Sequence, residues 1–353
     1  MKGLVLSGGY GTRLRPLTYS QQKQLIPVAN KPILFYAIED LIEAGINEIG
    51  VIVGPNREQV KREVRNRDWD ADLEFIDQDT PRGLAHAVMI SESFIDEEPF
   101  VMYLGDNLLR NGIAGHVNDF LSSDAEASIL LTEVDHPESF GVAELDERGQ
   151  VVRLVEKPKE PPSNLALVGV YLFRSRILDA VKNIPPSWRD ELEITDAIQW
   201  LLDQGHRVKA SVVEGWWKDT GKPEDILSAN HLILDELKPI HSGRVLEGSG
   251  VQGRVSIGDD TVLENGSVVR GPVIIGKGCR ISNSYVGPYT SIGDGCEIID
   301  VEIEGSIVMN ETKIMIKNKI VDSLIGTNVK ISENAQKPKG YRFIVGDSSE
   351  VRI

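Results

Sequence analysis

The sequence predicts a doubly wound α/β domain with a mixed sheet, followed by a parallel β-helix. Two observations carry this prediction. Up to about residue 235, short apolar runs alternate with amphipathic stretches, and from about residue 245 apolar residues recur at every sixth position. The chain has 353 residues, and a single hydrophobic core rarely grows beyond about 250–300 residues. We therefore expect one domain over residues 1–240 and a second over residues 241–353.

The first domain opens with short segments that are apolar throughout. They are GLVLS (3–7), EIGVIVG (48–54), LEFI (73–76) and FVMYLG (100–105). Such runs are typical of parallel strands covered on both faces. Helical patterns separate them, the first from Pro32 to just before Gly45 and two more over about 57–66 and 84–94. This alternation predicts a doubly wound sheet, and the closer strands after residue 127 indicate that the sheet is mixed.

The second domain has an apolar period of six. The series runs through Val251, Ile257, Leu263, Val269, Ile275 and Ile281, takes a five-residue step to Val286, and resumes at Ile292, Ile298, Val308, Ile314, Ile320, Ile325 and Ile331. This period fits neither a helix nor a plain strand. It is typical of a parallel β-helix with three short faces per coil, each directing one apolar side chain inward. A set of loosely related hairpins is the alternative.

The two cysteines, Cys279 and Cys296, both lie in these repeats. Each is the fifth residue of a six-residue repeat, so we expect them to stack in neighbouring coils about 4.8 Å apart. Two cysteines make neither a disulfide framework nor a zinc site. The first apolar run is too short for a secretory signal, and there is no run of about 18 apolar residues. These features predict free thiols in a cytoplasmic protein without a membrane span.

The charge distribution points to a local site for an anionic ligand. The formal net charge is −16, which argues against a nucleic-acid partner because such proteins present a basic face. An acidic protein that binds anions must gather its cations locally. Residues 1–38 contain no acid, and Arg13, Arg15 and Lys23 lie within eleven residues of one another. We therefore expect a polyanion site near the start of the chain.

The segment SGGYGTRLRP follows the first predicted strand. In an open α/β sheet, ligands bind outside the carboxyl ends of the strands, and a glycine-rich loop there exposes backbone N–H groups to phosphate. The loop has no G-K-S/T, so it is not a Walker A loop, and its glycine spacing does not match the dinucleotide motif G-x-G-x-x-G. A tight turn without a ligand is the alternative, but the neighbouring cations favour phosphate binding.

The stretches GGYGTRLRPLT and KQLIPVANKP resemble the signature of sugar nucleotidyltransferases. The likeness continues in order through GLAHA, LGDN, FGVAELD, VEKP, GVYLF, ELEITDAI and WWKDTG, over nearly all of the first 235 residues. Within that family the chain most resembles long-form glucose-1-phosphate thymidylyltransferases, which carry an appended hexapeptide domain. The resemblance implies a Rossmann-like catalytic domain, a left-handed β-helix, and Mg²⁺-dependent nucleotidyl transfer from dTTP to glucose 1-phosphate. The stackable faces of a β-helix favour a homo-oligomer.

The resemblance implies that a sugar-phosphate oxygen attacks the α-phosphorus of the triphosphate in line, and that pyrophosphate leaves. Such chemistry depends on positioning, cations and Mg²⁺. It gives catalytic roles to Arg13, Lys23 and Asp106. The planar guanidinium of Arg13 would balance charge at phosphorus, and Lys23 would contact the phosphates of the reacting pair. Asp106 and Asp219 each follow a predicted strand and would share Mg²⁺ with a substrate phosphate.

The resemblance also implies which residues bind the two substrates. The nucleotide contacts are Gly8, Gly9, Gly11 and Thr12 on the triphosphate, and Gln24, Gln78 and Gly83 on the base. A glutamine amide both donates and accepts, so it can pair with the N3–H/O4 edge of thymine or uracil, which leaves dTTP and UTP open. The sugar-phosphate contacts are Asn107, Gly141, Glu156, Lys157 and Leu167. Many relatives carry valine where this chain has Leu167, which bears on the fit to glucose.

Three alternatives remain at the level of sequence. The first is a UTP-dependent uridylyltransferase for glucose or N-acetylglucosamine 1-phosphate. The second is a bifunctional enzyme whose β-helix is an acetyltransferase; such domains commonly use a histidine base, and all six histidines precede residue 242, which favours a structural or oligomerising β-helix. The third is a non-enzymatic subunit, which would be expected to have lost one or more of the four charged residues Arg13, Lys23, Asp106 and Asp219.

Overall fold

The computed structural model describes residues 1–333, so residues 334–353 of the predicted second domain lie outside the described residues. The contacts within the chain divide it into two compact units, the first being Met1–Ala229 and the second beginning at Asn230. The division falls inside the helix Pro223–Asp235, earlier in the chain than residue 240.

The first unit alternates strands with helices, as the apolar pattern predicts. Its strands are β1 (Lys2–Ser7), β2 (Pro27–Val28), β3 (Lys31–Pro32), β4 (Glu48–Val53), β5 (Asp72–Asp77), β6 (Phe100–Leu104), β7 (Asn107–Leu109), β8 (Ala127–Glu133), β9 (Gly141–Leu145), β10 (Val151–Glu156), β11 (Leu165–Phe173), β12 (Val208–Val212) and β13 (Trp217–Asp219). Its helices are α1 (Ile33–Glu43), α2 (Arg57–Arg65), α3 (Leu84–Ile90), α4 (Glu92–Ile95), α5 (Ala114–Leu121), α6 (Arg176–Asn183) and α7 (Ile194–Asp203), and α8 (Pro223–Asp235) crosses the division.

The nine strands of the main sheet form a mixed sheet. Seven lie in the order β10-β9-β11-β6-β1-β4-β5, and β8 pairs with β11 and β12 beside this path. The half around β1 is parallel, with β6 and β4 on either side of β1 and β5 beyond β4. The strands β9, β10 and β11 pair antiparallel, as do β11 and β6. The parallel half therefore brings the carboxyl ends of β1, β5 and β6 to one edge.

Both faces of this sheet are buried, which explains the continuous apolar runs. Leu4 and Leu6 of β1 belong to the core on one face, whereas Val5 belongs to the core on the other. Helix α1 covers the second face with a stripe of fully buried side chains that includes Leu34 and Leu41. Period-3.6 spacing of apolar residues produces such a stripe.

The helix predicted over about 84–94 is two helices in the structure. Helix α3 ends at Ile90 and α4 begins at Glu92. Ser91 lies between them, and its hydroxyl donates a hydrogen bond of 2.7 Å to the carbonyl oxygen of Ala87. A serine hydroxyl that bonds the backbone four residues earlier often bends a helix, and this accounts for the interruption.

The second unit winds through three sheets of short parallel strands. One sheet holds β14 (Arg244–Val245), β17 (Val262–Glu264), β20 (Arg280–Ser282), β23 (Glu297–Ile299), β26 (Lys313–Met315) and β29 (Lys330–Ser332). The next holds β15 (Gly250–Gln252), β18 (Val268–Arg270), β21 (Tyr285–Val286), β24 (Glu302–Glu304) and β27 (Lys319–Val321). The last holds β16 (Val255–Ile257), β19 (Val273–Ile275), β22 (Thr290–Ile292), β25 (Ile307–Val308) and β28 (Leu324–Ile325). This arrangement is consistent with a left-handed parallel β-helix.

The apolar residues of the six-residue period stack in register. In the first of these sheets Leu263, Ile281, Ile298, Ile314 and Ile331 occupy successive rungs. The first four are fully buried. The six-residue period in the sequence is therefore the length of one face of the coil, and the parallel pairing shows that the hairpin alternative is wrong.

The two cysteines occupy neighbouring coils, as expected. They immediately precede Arg280 and Glu297, which pair in adjacent strands. Both thiols are free and buried. Their sulfur atoms lie 3.0 Å from the carbonyl oxygen of Gly293 and 3.2 Å from that of Met309, respectively.

Candidate active site

The glycine loop leaves the carboxyl end of β1 and lines a cavity of about 320 Å³. The residues predicted from the loop, Gly8, Gly9, Gly11, Thr12 and Arg13, all line it. Gly11 has φ +60°, a left-handed conformation that glycine adopts without strain. A β-carbon at Gly8 would lie 2.7 Å from the side-chain oxygen of Gln78, so the backbone there lies close against the amide.

A short turn brings a second cation and an amide to the same cavity. Lys23 and Gln24 lie in the 3₁₀ turn Lys23–Leu25 and line the cavity. The preceding residue, Gln22, is buried, and its amide nitrogen donates to the carbonyl oxygens of Ser7 (2.9 Å) and Gly9 (3.0 Å). The same nitrogen lies 2.7 Å from the side-chain oxygen of Gln24, so its two N–H groups are shared among three acceptors. Gln22 therefore fixes both the loop and the amide orientation of Gln24.

Two carboxylates lie close to Lys23: Asp106, which lines the cavity, and Asp219, which lies just outside the lining. Asp106 follows β6, and Asp219 ends β13, which pairs antiparallel with β7 so that Asp219 lies opposite Asn107. The backbone nitrogen and the hydroxyl of Thr220 donate to the carbonyl oxygen of Asp106 at 3.0 and 2.7 Å. These bonds hold together two segments that are more than 100 residues apart in the chain.

The charges at these carboxylates are strongly coupled. Lys23 forms an ion pair with Asp106. Although burial opposes it, this ion pair lowers the pKa of the Asp106 carboxyl, and the two carboxylates together raise the pKa of the Lys23 ammonium. Burial, followed by repulsion from Asp106, raises the pKa of Asp219 to about 6. The site therefore carries excess negative potential at Asp219, which a further cation would relieve.

Arg13 completes this charged cluster. A β-carbon at Gly221 would lie 3.0 Å from a guanidinium nitrogen of Arg13 and 3.1 Å from a carboxylate oxygen of Asp219. Only a residue without a side chain leaves these two groups undisturbed. Gly221 lines the cavity, whereas the residue of the WWKDTG segment predicted for the site is Asp219.

The carboxylate pair fits a divalent cation such as Mg²⁺. Magnesium commonly takes one or two protein carboxylates and completes its shell with substrate phosphate and water. Asp106 and Asp219 supply that number of carboxylates beside the glycine loop. Among residues 1–333 there is no cluster of three or more metal-ligating side chains, so a metal here would depend on the substrate for its remaining ligands.

The residues predicted to contact the base also line the cavity. Gln78 follows β5, and Gly83 precedes α3; both line the cavity with Pro81 and Leu84. Gly83 has φ +100°, and a β-carbon there would lie 2.3 Å from the carbonyl oxygen of Leu192. That close approach and the left-handed φ explain why glycine occupies this position.

The residues predicted to contact the sugar phosphate form a second cluster. A β-carbon at Gly141 would lie 3.1 Å from an oxygen of Glu156 and 3.5 Å from Leu167. Lys157 lies 3.7 Å from Glu156 and is anchored by its backbone bond to Phe140. Asn107 does not face this group with its side-chain oxygen, which accepts instead from the indole nitrogen of Trp217 at 2.7 Å.

The structure adds Arg189 and Glu193, to which the sequence analysis gave no role. Arg189 lies 3.4 Å from both Glu156 and Glu193. Glu193 is buried, and burial, with Glu156 nearby, raises its pKa. Thr195 donates to the other oxygen of Glu156 at 3.2 Å. The segment ELEITDAI, part of the family resemblance, contains Glu193 and Thr195 and begins two residues after Arg189.

Two loop residues remain outside the cavity lining. Arg15 stacks on the ring of Tyr19 at 4.9 Å, so the cation cluster of the sequence reduces to Arg13 and Lys23 at the cavity. Tyr10 is exposed and makes no contact that gives it a role. A different cavity of about 400 Å³ is lined by residues that include His116 and Glu214, and none of the predicted site residues lines it.

The mixed sheet, the glycine loop, two cations and a pair of carboxylates are the features expected of an enzyme that acts on a phosphorylated ligand. Residues 2–236 match the Nucleotidyl transferase family, and residues 254–284 match the Bacterial transferase hexapeptide (six repeats) family. The chain belongs to the nucleotidyl transferase family. Among residues 1–333 no helix has the length and apolar character needed to cross a membrane.

Relatives cover the whole chain. A glucose-1-phosphate thymidylyltransferase from Streptomyces antibioticus is 48% identical over 100% of this chain and 99% of its own length. The low-salt glycan biosynthesis nucleotidyltransferase Agl11 of Haloferax volcanii is 49% identical over 100% of both chains. A crystal structure of a putative glucose-1-phosphate thymidylyltransferase from Bacillus anthracis, in complex with a sucrose, is 35% identical, with a TM-score of 0.61 over 66% of this chain and 94% of its own.

Proposed function

We propose that this protein transfers a thymidylyl group from dTTP to glucose 1-phosphate and releases pyrophosphate. The observation that carries the proposal is the convergence of the glycine loop, Arg13, Lys23 and Asp106 on one cavity. A reaction between two polyanions needs an arrangement of this kind, because its main obstacle is charge repulsion. The full-length similarity to thymidylyltransferases supports the choice of dTTP and glucose 1-phosphate.

In the proposed reaction, an oxygen of the sugar phosphate attacks the α-phosphorus of dTTP. A new P–O bond forms as the bond from the α-phosphorus to the bridging oxygen breaks, and pyrophosphate leaves with that electron pair. The attacking oxygen is already ionised, so no general base is needed. Backbone N–H groups of the glycine loop seat the triphosphate, and Arg13 balances the charge that builds at the α-phosphorus.

Asp106 and Asp219 are the residues that would hold Mg²⁺, which supplies charge neutralisation at the phosphate oxygens when it is bound. Lys23, which pairs with Asp106, contributes a cation on the same side of the cavity. The proposed sugar contacts are Asn107, Gly141, Glu156, Lys157 and Leu167. Lys157, whose ammonium lies 3.7 Å from Glu156, would bind the sugar phosphate, and Glu156 would accept from sugar hydroxyls.

The residues predicted to contact the base favour a pyrimidine with an N3–H group. Gln24, Gln78 and Gly83 line the cavity, and the amides can pair with thymine or uracil. UTP is therefore the competing donor. A homo-oligomer and a cytoplasmic location stay predictions, the first of which light scattering on the purified protein would test.

The test is a substrate panel. Purified protein with Mg²⁺ is given dTTP, UTP, dCTP or dATP against glucose 1-phosphate and N-acetylglucosamine 1-phosphate, and pyrophosphate release is recorded. We expect the highest kcat/KM for dTTP with glucose 1-phosphate. A higher kcat/KM for UTP would overturn the thymidylyl assignment, and no release from any pair would overturn nucleotidyl transfer.

A further inference from the structure

The side-chain amide of Gln78 is hydrogen-bonded to a histidine that does not itself line the cavity. The amide nitrogen of Gln78 lies 3.1 Å from Nδ1 of His86. Both side chains are buried, with 6% and 7% of their surface exposed. His86 lies in the first turn of α3, and the backbone nitrogen of its neighbour Ala85 donates to the carbonyl oxygen of Leu192 at 3.0 Å. The histidine therefore has a fixed support.

The direction of this hydrogen bond follows from the groups involved. An amide nitrogen can only donate, so Nδ1 of His86 must accept, and the imidazole is neutral with its proton on Nε2. Burial lowers the pKa of His86, and the nearby charge of Arg82 lowers it further. Both effects favour the neutral ring that can accept.

This bond decides which end of the Gln78 amide faces the cavity. With the nitrogen turned to His86, the oxygen turns to the glycine loop, where it lies 2.7 Å from the position of a β-carbon at Gly8. The other glutamine is fixed the opposite way, because the oxygen of Gln24 accepts from Gln22 at 2.7 Å and its nitrogen remains as a donor. The two glutamines thus present one acceptor, the oxygen of Gln78, and one donor, the nitrogen of Gln24, in fixed orientations.

We propose that His86 is a positioning residue for base selection, holding the acceptor oxygen of Gln78 toward the base so that the site takes a pyrimidine with an N3–H donor and refuses cytosine. The inference rests on the proposed function, since it assigns Gln78 to the base. Thymine and uracil carry a donor at N3, whereas cytosine carries a lone pair there. With the Gln78 oxygen facing it, N3 of cytosine would place two acceptors together without a proton between them. A buried polar group left unpaired weakens binding, so the site discriminates strongly against cytosine.

Without His86 the amide of Gln78 can rotate by half a turn and present its nitrogen to the base. The enzyme would then pair with cytosine as readily as its remaining contacts allow. The sharpest probe is the pair dTTP and 5-methyl-dCTP, which share the 5-methyl group, the deoxyribose and the triphosphate and differ only at N3 and the 4-substituent. The ratio of their kcat/KM values isolates base selection from all effects common to both.

Three variants separate positioning from a merely structural role. His86→Leu removes the acceptor at similar volume, and we expect the dTTP to 5-methyl-dCTP ratio to fall at least about tenfold, the equivalent of one well-placed hydrogen bond. His86→Asn supplies an oxygen near the position of Nδ1 and should restore most of the ratio. His116→Leu removes a histidine that lines the other cavity and should leave the ratio unchanged.

An unchanged ratio in a folded His86→Leu enzyme, including an equal loss of activity with both nucleotides, would overturn the inference. If His86→Leu does not fold, the ¹⁵N spectrum of the wild-type imidazoles decides, with the His86 signal assigned from its loss in His86→Asn. A neutral ring with the proton on Nε2 supports the inference, and a proton on Nδ1 overturns it. Wild-type enzyme that uses neither dTTP nor UTP would instead overturn the proposed function.

Discussion

At the scale of single residues, the site depends on small side chains placed beside large charged ones. Gly221 leaves room for Arg13 and Asp219, and Gly8 leaves room for the amide oxygen of Gln78. The sequence could predict Arg13 because it lies in a motif with a recognisable pattern. It could not predict that Arg15, two residues later, stacks on Tyr19, because a cluster of cations in a sequence does not show which way each side chain turns.

Arg13→Ala should separate binding from catalysis. Its guanidinium should bind most tightly when charge builds at the α-phosphorus, so we expect kcat to fall by about 10²–10³ with a much smaller change in KM. Steady-state rates of pyrophosphate release measure both constants. Arg15→Ala removes the same charge two positions away and should change kcat by less than about twofold. An Arg13→Ala enzyme that loses only substrate affinity would contradict the role given to Arg13.

Arg189 and Glu193 show the limit of residue-level prediction. Each is an ordinary charged residue in the segment ELEITDAI or just before it. Their importance arises from tertiary packing that brings Arg189 to Glu156, a strand residue 33 positions earlier. The spacing of residues along the chain therefore could not predict the contact between Arg189 and Glu156.

At the scale of elements, the site is assembled by the ends of strands. The strands β1, β5 and β6 could be predicted from their apolar runs, and with them the positions of the glycine loop, Gln78 and Asp106. The pairing of β7 with β13 brings Asp219 to Asp106. The sequence predicts a strand before Asp219, but strands of three residues have too little pattern for their pairing to be predicted. Asp219 could therefore be placed at the site only through the family resemblance.

The contact between α1 and β6 contains a titrating group that the reaction does not use. The hydroxyl of Tyr103 in β6 donates to Asp40 of α1 at 2.7 Å. Burial, with a contribution from Glu43, raises the pKa of Asp40 to about 7, although the Tyr103 bond acts in the opposite direction. Between about pH 4 and pH 7 the folded state holds a proton that the unfolded state has lost, so the free energy of unfolding falls as the pH rises.

Asp40→Asn should remove this dependence. Asparagine keeps an oxygen for Tyr103 but carries no charge, so we expect the variant to gain stability relative to wild type at pH 8, by an amount on the order of 2 kcal/mol. Near pH 4 the gain should vanish. Denaturant unfolding at both pH values, followed by tryptophan fluorescence, measures the difference. Asp119→Asn, at an exposed carboxylate, controls for the loss of one charge, and an equal gain at both pH values for Asp40→Asn would refute the linkage.

At the scale of the whole molecule, the two units follow different sequence periods, and each period could be recognised. Each face of the β-helix coil takes about six residues, so every third apolar residue of the series returns to the same face. The stack of Leu263, Ile281 and Ile298 could therefore be predicted residue by residue. The antiparallel half of the first unit was predictable only in outline. Its strand β11 changes register against β8 between Leu167 and Tyr171, and such an irregularity has no signature in apolar spacing.

The inward residues of the β-helix should carry its stability. Ile298 is fully buried, so Ile298→Ala should lower the free energy of unfolding of this unit by about 2–4 kcal/mol. Val321→Ala, at a side chain with 47% of its surface exposed, should change it by less than about 0.5 kcal/mol. Reaction of the buried thiols with a thiol reagent during denaturant unfolding reports on this unit. Similar losses for the two variants would contradict the inward assignment of Ile298.

The buried cysteines have a consequence for how the chain can be observed. Both cysteines, Cys279 and Cys296, lie in the second unit, whereas the five tryptophans, Trp69, Trp188, Trp200, Trp216 and Trp217, lie in the first. Thiol reactivity and indole fluorescence therefore form two natural, unlabelled reporters, one for each unit. Separate unfolding midpoints for the two reporters, measured without an engineered label, would show that the two units unfold in separate transitions.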